Sequence, residues 1–320
     1  MRDYKQDLLN RFWNYQKNNF KDMLSLFDPP EAHDDSSPPV FRIDAASNNV
    51  LLKQGLPEKI KKEVLNQIPK HQRHKWFRSM SSSQALTQSV FGNLKVFKKL
   101  DRLAKLNGED GKPLFLRGSN FQEYFSLEFV VDYLGEPRPP NVDVFFGGDY
   151  RVAVECKFTE PEVGTCSRPK IKSNDSNYNQ DYCDGRYVAQ RGRSGRCSLS
   201  SRGIKYWQYI PRLFNWPADI DHEPCPLRET YQLVRNVLSA CVRSDGVFDP
   251  ENGHAVLLYD KRNPAFQLGG KGWTAWENVR AALRDPSLLQ VCTWQQVVDV
   301  MRLDLELFWL TDSLQQKYGL

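Results

Sequence analysis

Residues 141–157 read Asn-Val-Asp-Val-Phe-Phe-Gly-Gly-Asp-Tyr-Arg-Val-Ala-Val-Glu-Cys-Lys and decide the predicted fold of this chain. Two runs rich in apolar and aromatic residues flank a Gly-Gly-Asp turn, a pattern typical of a β-hairpin. Because side chains alternate along a strand, Glu155 and Lys157 share one face of the second strand. The hairpin brings Asp143, near the start of the first strand, opposite the end of the second. Two carboxylates and an ammonium group at one edge of a sheet favour a hard divalent cation such as Mg²⁺.

The same residues resemble the motif of the PD-(D/E)XK nuclease superfamily, whose members share the restriction-endonuclease-like fold. Asp143 matches the motif aspartate, and Glu155-Cys156-Lys157 matches the Glu-x-Lys element of the next strand. No proline directly precedes Asp143, although Pro139 and Pro140 lie slightly upstream. The resemblance covers about residues 80–300. It implies that Asp143 and Glu155 bind Mg²⁺ or Mn²⁺ and that Lys157 orients the attacking water or stabilises the transition state. The alternative is a surface hairpin with an ordinary Glu/Lys pair.

The composition predicts a globular protein. Of the 320 residues, 40% are hydrophobic and 12% aromatic, which excludes a disordered chain. No apolar run reaches the length of a membrane helix, and the charged N-terminus lacks a signal-peptide pattern. We therefore expect a cytoplasmic protein without membrane association. The net charge of +5 is compatible with a polyanionic partner.

The order of predicted elements favours an α/β fold with a mixed central β-sheet flanked by helices. Residues 121–134 are predicted to form the first core strand, or a helix end running into it. Further elements are predicted as helices at 203–216 and 227–243, strands at 254–259 and 291–293, and a long closing helix at 294–310.

An amphipathic helix at residues 3–27 and an acidic, proline-rich linker precede these elements. We therefore divide the chain into an N-terminal helical extension, residues 1–40, and a nuclease-like domain, residues 41–320. The core of this domain spans about residues 80–300. A basic, cysteine-containing insertion occupies about residues 159–202.

A serine-capped helix is predicted just before the sheet. Its start, Ser-Ser-Gln-Ala-Leu, followed by Phe91-Gly92, resembles a bacterial restriction-endonuclease-like group within the superfamily. This helix often carries a glutamate near the metal in the superfamily, whereas here Gln84 and Gln88 occupy that surface. Gln84 is a candidate contact to the backbone or to a phosphate, or simply a polar residue at a helix start.

Glu128 is the candidate third carboxylate, with Glu123 behind it. Its neighbours Leu127, Phe129 and Val130 are apolar, so an acidic side chain there needs a partner such as a metal or an arginine. An outward-facing glutamate on a half-exposed strand is the alternative. The resemblance also makes Gln232 a candidate, because a glutamine from the equivalent helix sometimes reaches the active site.

The insertion after the hairpin is rich in arginine and lysine. A loop of this length is usually functional or disordered, and its composition favours a flap over a nucleic-acid backbone, with a mobile, solvated loop as the alternative. A second basic loop follows the strand at 254–259. The candidate nucleic-acid contacts in these two loops are Arg168, Arg191, Arg193, Arg196, Lys261 and Arg262.

Seven cysteines, without regular spacing, indicate reduced thiols or a metal site rather than a disulfide scaffold. Four of them could close a tetrahedral zinc site that pins the insertion to the core, namely Cys166, Cys183, Cys197 and Cys225. None of the spacings is C-x-x-C. Independent buried thiols are the alternative.

The leading functional hypothesis is a metal-dependent nuclease, a hydrolase that cleaves DNA internally with Mg²⁺ or Mn²⁺. The resemblance suggests a role in restriction and defence, and a repair nuclease is an alternative. Two further alternatives are a catalytically inactive nuclease-fold protein that binds nucleic acid, and a structural protein that assembles through its N-terminal helix. We expect nucleic acid, above all DNA, as the partner, and a homodimer is an allowed assembly.

Overall fold

The computed structural model describes residues 2–29, 36–189 and 195–320. Its strands are β1, Phe125–Val130; β2, Asn141–Phe146; β3, Arg151–Lys157; β4, Gly253–Tyr259; and β5, Leu289–Thr293. They form one sheet in the order β1-β2-β3-β4-β5. β2 is antiparallel to both of its neighbours, whereas β3, β4 and β5 run parallel. The predicted α/β fold with a mixed central sheet is therefore confirmed.

The helices lie on both faces of this sheet. Their bounds are α1, Arg2–Asn19; α2, Glu58–Leu65; α3, Ser83–Thr87; α4, Asn93–Val96; α5, Tyr178–Asp181; α6, Tyr206–Leu213; α7, Tyr231–Cys241; α8, Lys271–Ala282; α9, Trp294–Met301; and α10, Phe308–Tyr318. A π-helical turn, Gln88–Gly92, joins α3 to α4. No helix in the described ranges is long and apolar enough to cross a bilayer.

The hairpin of β2 and β3 forms as predicted. Gly148 lies at its turn with a φ of +99°, a conformation that residues with a Cβ rarely adopt. Every residue of β3 and β4 is buried, as expected for strands covered on both faces. Val154 and Cys156 point into one core layer, whereas Ala153 points into the other, against α7. Glu155 and Lys157, which alternate with Val154 and Cys156, therefore lie on the face covered by α7.

The N-terminal helix α1 packs in the same core as the sheet. Tyr4, Leu8 and Phe12 are buried in it. The hydroxyl of Tyr4 donates a hydrogen bond of 2.9 Å to the carbonyl of Phe158, and the ring of Phe12 packs edge-on against that of Tyr318. The segment predicted as an extension thus completes one side of the core.

The C-terminal elements differ from the prediction. The long helix expected at 294–310 is divided into α9 and α10, because Asp304 interrupts it: its carboxylate accepts the backbone N–H of Glu306 and forms ion pairs with Lys99 and Arg102 at 3.0 and 2.7 Å. Helix α8 was not predicted at all. Its two tryptophans and its charged residues do not form a clear apolar stripe.

Candidate active site

Three carboxylates form a row across the sheet where β1, β2 and β3 adjoin. The registers of the two antiparallel pairs place Glu128 and Glu155 at the positions that flank Asp143. All three residues line one surface pocket. We call Glu128, Asp143 and Glu155 the carboxylate row.

Glu128 has an unusual backbone for a strand residue, with a φ of +51°. This conformation breaks the alternation of β1, because Leu127 packs on one face of the sheet while Phe129 stacks on Phe145 on the other, with ring centroids 4.1 Å apart. A left-handed backbone costs a residue with a Cβ roughly 1–2 kcal/mol. Conformations of this kind cluster at functional sites.

The row carries more negative charge than its surroundings offset. Burial, followed by the charges of Glu155 and Glu128, holds the pKa of Asp143 well above its usual range. Burial also raises the pKa of Glu128, although hydrogen bonds from Gln84 and Asn141 act against this. An added cation would remove the repulsion.

Hydrogen bonds from neighbouring elements orient the row. The carboxylate of Glu128 accepts the side-chain amides of Gln84, at 2.7 Å, and Asn141, at 3.1 Å. Asp143 Oδ2 accepts the backbone N–H of Cys156 at 2.6 Å. Within the described residues, Asp143 Oδ1 accepts no hydrogen bond, so this oxygen is available to a ligand.

Lys157 lies beside the row, with Nζ 2.8 Å from Glu155 Oε1. Burial acts to lower the pKa of Lys157, but the surrounding carboxylates, Glu155 foremost, raise it above its usual value, so the side chain remains charged. Its Nζ also donates to Gln232 Oε1 at 2.9 Å. Asn236, on the next turn of α7, donates to Glu155 Oε2 at 2.6 Å. Helix α7 therefore holds both members of the Glu/Lys pair.

Arg235 is a buried cation in the same pocket. It donates to the carbonyl of Asn141 at 3.2 Å, and its Nε has no hydrogen-bond partner. In the described part of the chain, no carboxylate lies within ion-pair distance of it. A guanidinium with unused donors is well suited to a phosphate group.

The structure brings some predicted site residues together and not others. Glu128, Asp143, Glu155, Lys157, Gln84 and Gln232 all line the pocket. Glu123 is exposed and does not. Asn236 and Asn141 were not predicted. The position of Asn236, four residues after Gln232 on one helix, is a signal that could have indicated it.

The four predicted nucleic-acid contacts within the described residues, Arg168, Arg196, Lys261 and Arg262, do not line this pocket. Arg191 and Arg193 fall outside the described residues. Lys261 is exposed, and the remaining three arginines are engaged in ion pairs, Arg168 with Asp181 at 3.1 Å, Arg196 with Asp221 at 2.8 Å and Arg262 with Asp260 at 2.6 Å. Arg262 also donates to the carbonyl of Tyr318. These pairs join segments of the protein to one another.

The four cysteines named above converge. Cys166, Cys183, Cys197 and Cys225 line one small cavity of about 10 Å³, and none is in a disulfide. Among the described residues, no group of three or more His, Cys, Asp or Glu side chains is placed so that it could hold a metal ion, and this includes both the four thiols and the carboxylate row. The four cysteines line the cavity but do not form a coordination shell.

Comparison with known proteins gives one match. No curated protein and no solved structure matches the chain. A family model described as Restriction Endonuclease associating with ARP matches residues 17–319. This span includes the whole sheet and the carboxylate row, and the mixed α/β architecture is consistent with a restriction-endonuclease-like fold. The chain therefore belongs to the family of restriction endonucleases associating with ARP.

Proposed function

We propose that this protein is a Mg²⁺-dependent endonuclease that hydrolyses phosphodiester bonds in DNA as a defence enzyme. The observation that carries the proposal is the carboxylate row with Lys157 beside it. A surface that only bound nucleic acid would have no use for three adjacent carboxylates, because they repel the phosphate backbone. Membership of a restriction-endonuclease family supports the same conclusion.

The row suits Mg²⁺ or Mn²⁺ on chemical grounds. Mg²⁺ is commonly bound by one or two carboxylates, with water and substrate phosphate completing the shell, so a closed set of three protein ligands is not required. Asp143 and Glu155 would hold the ion, since Asp143 Oδ1 accepts no hydrogen bond within the described residues. Burial, and after it the charges of Glu155 and Glu128, raise the pKa of Asp143, and a bound cation would act against both causes. Glu128 would belong to the outer shell around the ion and its two ligands, Asp143 and Glu155.

The bound ion would lower the pKa of a water molecule and neutralise charge on the scissile phosphate. The charged Lys157 would donate a hydrogen bond from Nζ to the attacking water or to the oxygen on which negative charge develops. Gln232 fixes the position of that nitrogen, and Asn236 fixes the carboxylate of Glu155. Arg235 would bind a phosphate oxygen of the substrate.

The test is cleavage by the full-length protein of supercoiled, linear and single-stranded DNA and of RNA, with Mg²⁺, Mn²⁺ or EDTA. We expect supercoiled DNA to be nicked or linearised with either ion and not with EDTA; cutting of a closed circle separates an endonuclease from an exonuclease. Glu155→Gln should abolish cleavage while DNA binding persists. Asp149→Asn, an exposed change at the turn of the same hairpin, is the matched control and should cut normally. Full activity in Glu155→Gln would refute the assignment.

A further inference from the structure

Four cysteines from separated parts of the chain meet at one point. Cys166, Cys183, Cys197 and Cys225 line a cavity of about 10 Å³, close to the space that one water-sized particle needs. Burial raises the pKa of Cys225 to about 12, and the other three thiols add to that rise. The remaining cysteines, Cys156, Cys241 and Cys292, lie elsewhere in the core.

A backbone hydrogen bond accompanies this convergence. The N–H of Gly185 donates to the sulfur of Cys183 at 3.4 Å, and that thiol donates to the carbonyl of Arg186 at 3.5 Å. Burial raises the pKa of Cys166, Cys197 and Cys225, and the backbone N–H two residues further along the chain acts against that rise in each case. Backbone N–H groups aimed at sulfur stabilise a thiolate, and hydrogen bonds from a surrounding shell orient metal ligands.

We propose that Cys166, Cys183, Cys197 and Cys225 bind one structural Zn²⁺ as thiolates. Four cysteines in a tetrahedron are a common structural zinc site, and the small cavity suits a single ion rather than an iron–sulfur cluster. Binding releases four thiol protons to solvent and leaves a net charge of −2 on the centre. Arg168, Arg186 and Arg228 line the same cavity, the first two in ion pairs with Asp181 and Asp184.

The ion itself would draw the side chains into place. As placed in this structure, the four thiols do not form a group that could hold a metal ion. Metal binding and completion of a site are normally coupled, because a neutral thiol must lose its proton before it can ligate. The backbone is already arranged for this step: the N–H of Cys225 donates to the carbonyl of Gly185 at 2.9 Å, and the N–H of Cys166 donates to the carbonyl of Arg228 at 3.0 Å.

The proposed zinc site supports the carboxylate row through Gly164. A Cβ placed on Gly164 would lie 2.1 Å from Gln232 Oε1, so this glycine, two residues before Cys166, packs directly on the side chain that contacts Lys157. Zinc would hold the start of the insertion against α7. The zinc proposal rests on the cysteine geometry and does not require that the protein cleave DNA.

The test is the metal content of the full-length protein, purified with a reductant and without added metal, by elemental analysis for zinc and iron. We expect one zinc and no iron per chain. Cys183→Ser and Cys225→Ser should weaken zinc binding by more than the roughly 10–100-fold that loss of a second-layer partner costs, and the purified variants should contain less zinc than the wild type. Cys292→Ser, a buried cysteine outside the cavity, is the matched control and should retain its zinc.

A second measurement, on the wild-type protein, tests the proposal even if the cysteine variants fail to fold. Zinc is removed from the wild-type protein with a chelator and replaced by Co²⁺, whose absorption spectrum reports tetrahedral thiolate ligands. A strong sulfur-to-cobalt charge-transfer band supports the proposal. A wild-type protein without zinc and without that band, or one that contains iron and sulfide instead, overturns it.

Discussion

Replacing Asp143 by asparagine should stabilise the metal-free protein while abolishing its response to Mg²⁺. The substitution keeps an oxygen that can accept the N–H of Cys156 and removes one charge from the carboxylate row. If the carboxylate row is a cation site, repulsion between its negative charges destabilises the folded protein when no ion is bound.

The expected gain in the free energy of unfolding follows from the arrangement of the strands. Directly opposite residues on adjacent strands have Cβ atoms about 4.5–5.5 Å apart. At a carboxylate separation of roughly 5–7 Å and an effective dielectric constant of about 20, each like-charged pair costs about 2–3 kcal/mol. Asp143 has two such neighbours, and its attraction to Lys157 cancels about one of them. We therefore expect Asp143→Asn to raise the free energy of unfolding by about 2 kcal/mol, or roughly 3 °C in Tm for a chain of 320 residues.

The stability difference between Asp143→Asn and the wild type depends on pH. Because the pKa of Asp143 is raised in the folded protein, the native state keeps a proton that the unfolded state has lost, and wild-type stability falls as pH rises from about 4 through the raised pKa. The two proteins should therefore have similar stability near pH 4. The advantage of Asp143→Asn should appear above that and persist at pH 8.

Thermal unfolding in EDTA and in Mg²⁺, at pH 5 and pH 8, measures both effects. Mg²⁺ at 100 times its dissociation constant should stabilise the wild type by about 2.7 kcal/mol and leave Asp143→Asn nearly unchanged. Asp149→Asn serves as the control and should keep the full response to Mg²⁺. A less stable Asp143→Asn in EDTA at pH 8, or one that retains the response to Mg²⁺, would refute the reasoning.

Three further outcomes are expected. Lys157→Met should lower the cleavage rate by about 10²–10³-fold with DNA affinity retained, and a normal rate in a single-turnover assay would exclude its catalytic role. Asn236→Leu should raise the Mg²⁺ concentration for half-maximal cleavage by about 10–100-fold, because Glu155 loses a fixed donor; an unchanged Mg²⁺ titration would contradict this. Burial lowers the pKa of Lys317 to about 7, so above that pH the unfolded chain holds a proton that the native state lacks, and stability should rise by up to about 1.4 kcal/mol per pH unit between about pH 7 and 10. Denaturant unfolding should show this slope in the wild type and not in Lys317→Met.

The hairpin and its chemistry were readable from the sequence because both depend on local signals. Alternating apolar residues and a Gly-Gly turn specify β2 and β3, and strand alternation alone puts Glu155 beside Lys157. The register that aligns Glu128 with Asp143 pairs two strands joined by an irregular connection, residues 131–140, so the sequence supported Glu128 only as an unpaired acid among apolar neighbours. Its left-handed backbone had no sequence signal, since it is imposed by packing on both faces of the sheet.

Other features could not be predicted because they depend on tertiary partners. Arg262 reads as a free basic residue at a strand end, yet Asp260, two residues earlier, and the carbonyl of Tyr318 occupy its guanidinium. Arg235 lies beside an apolar helical stripe and gives no hint of facing a pocket. The four converging cysteines extend from the start of the insertion to Cys225, beyond its end, and include no close pair of the kind that marks a simple zinc motif.

Helix α1 has a practical consequence for defining the protein's boundaries. The family match begins at residue 17, near the end of this helix, whereas Tyr4, Leu8 and Phe12 are buried in the central core. A truncation at the family boundary would expose the apolar surface around Phe158 and Tyr318, which these side chains cover. We therefore expect a fragment that begins at the family boundary to be less stable than the full chain and to aggregate.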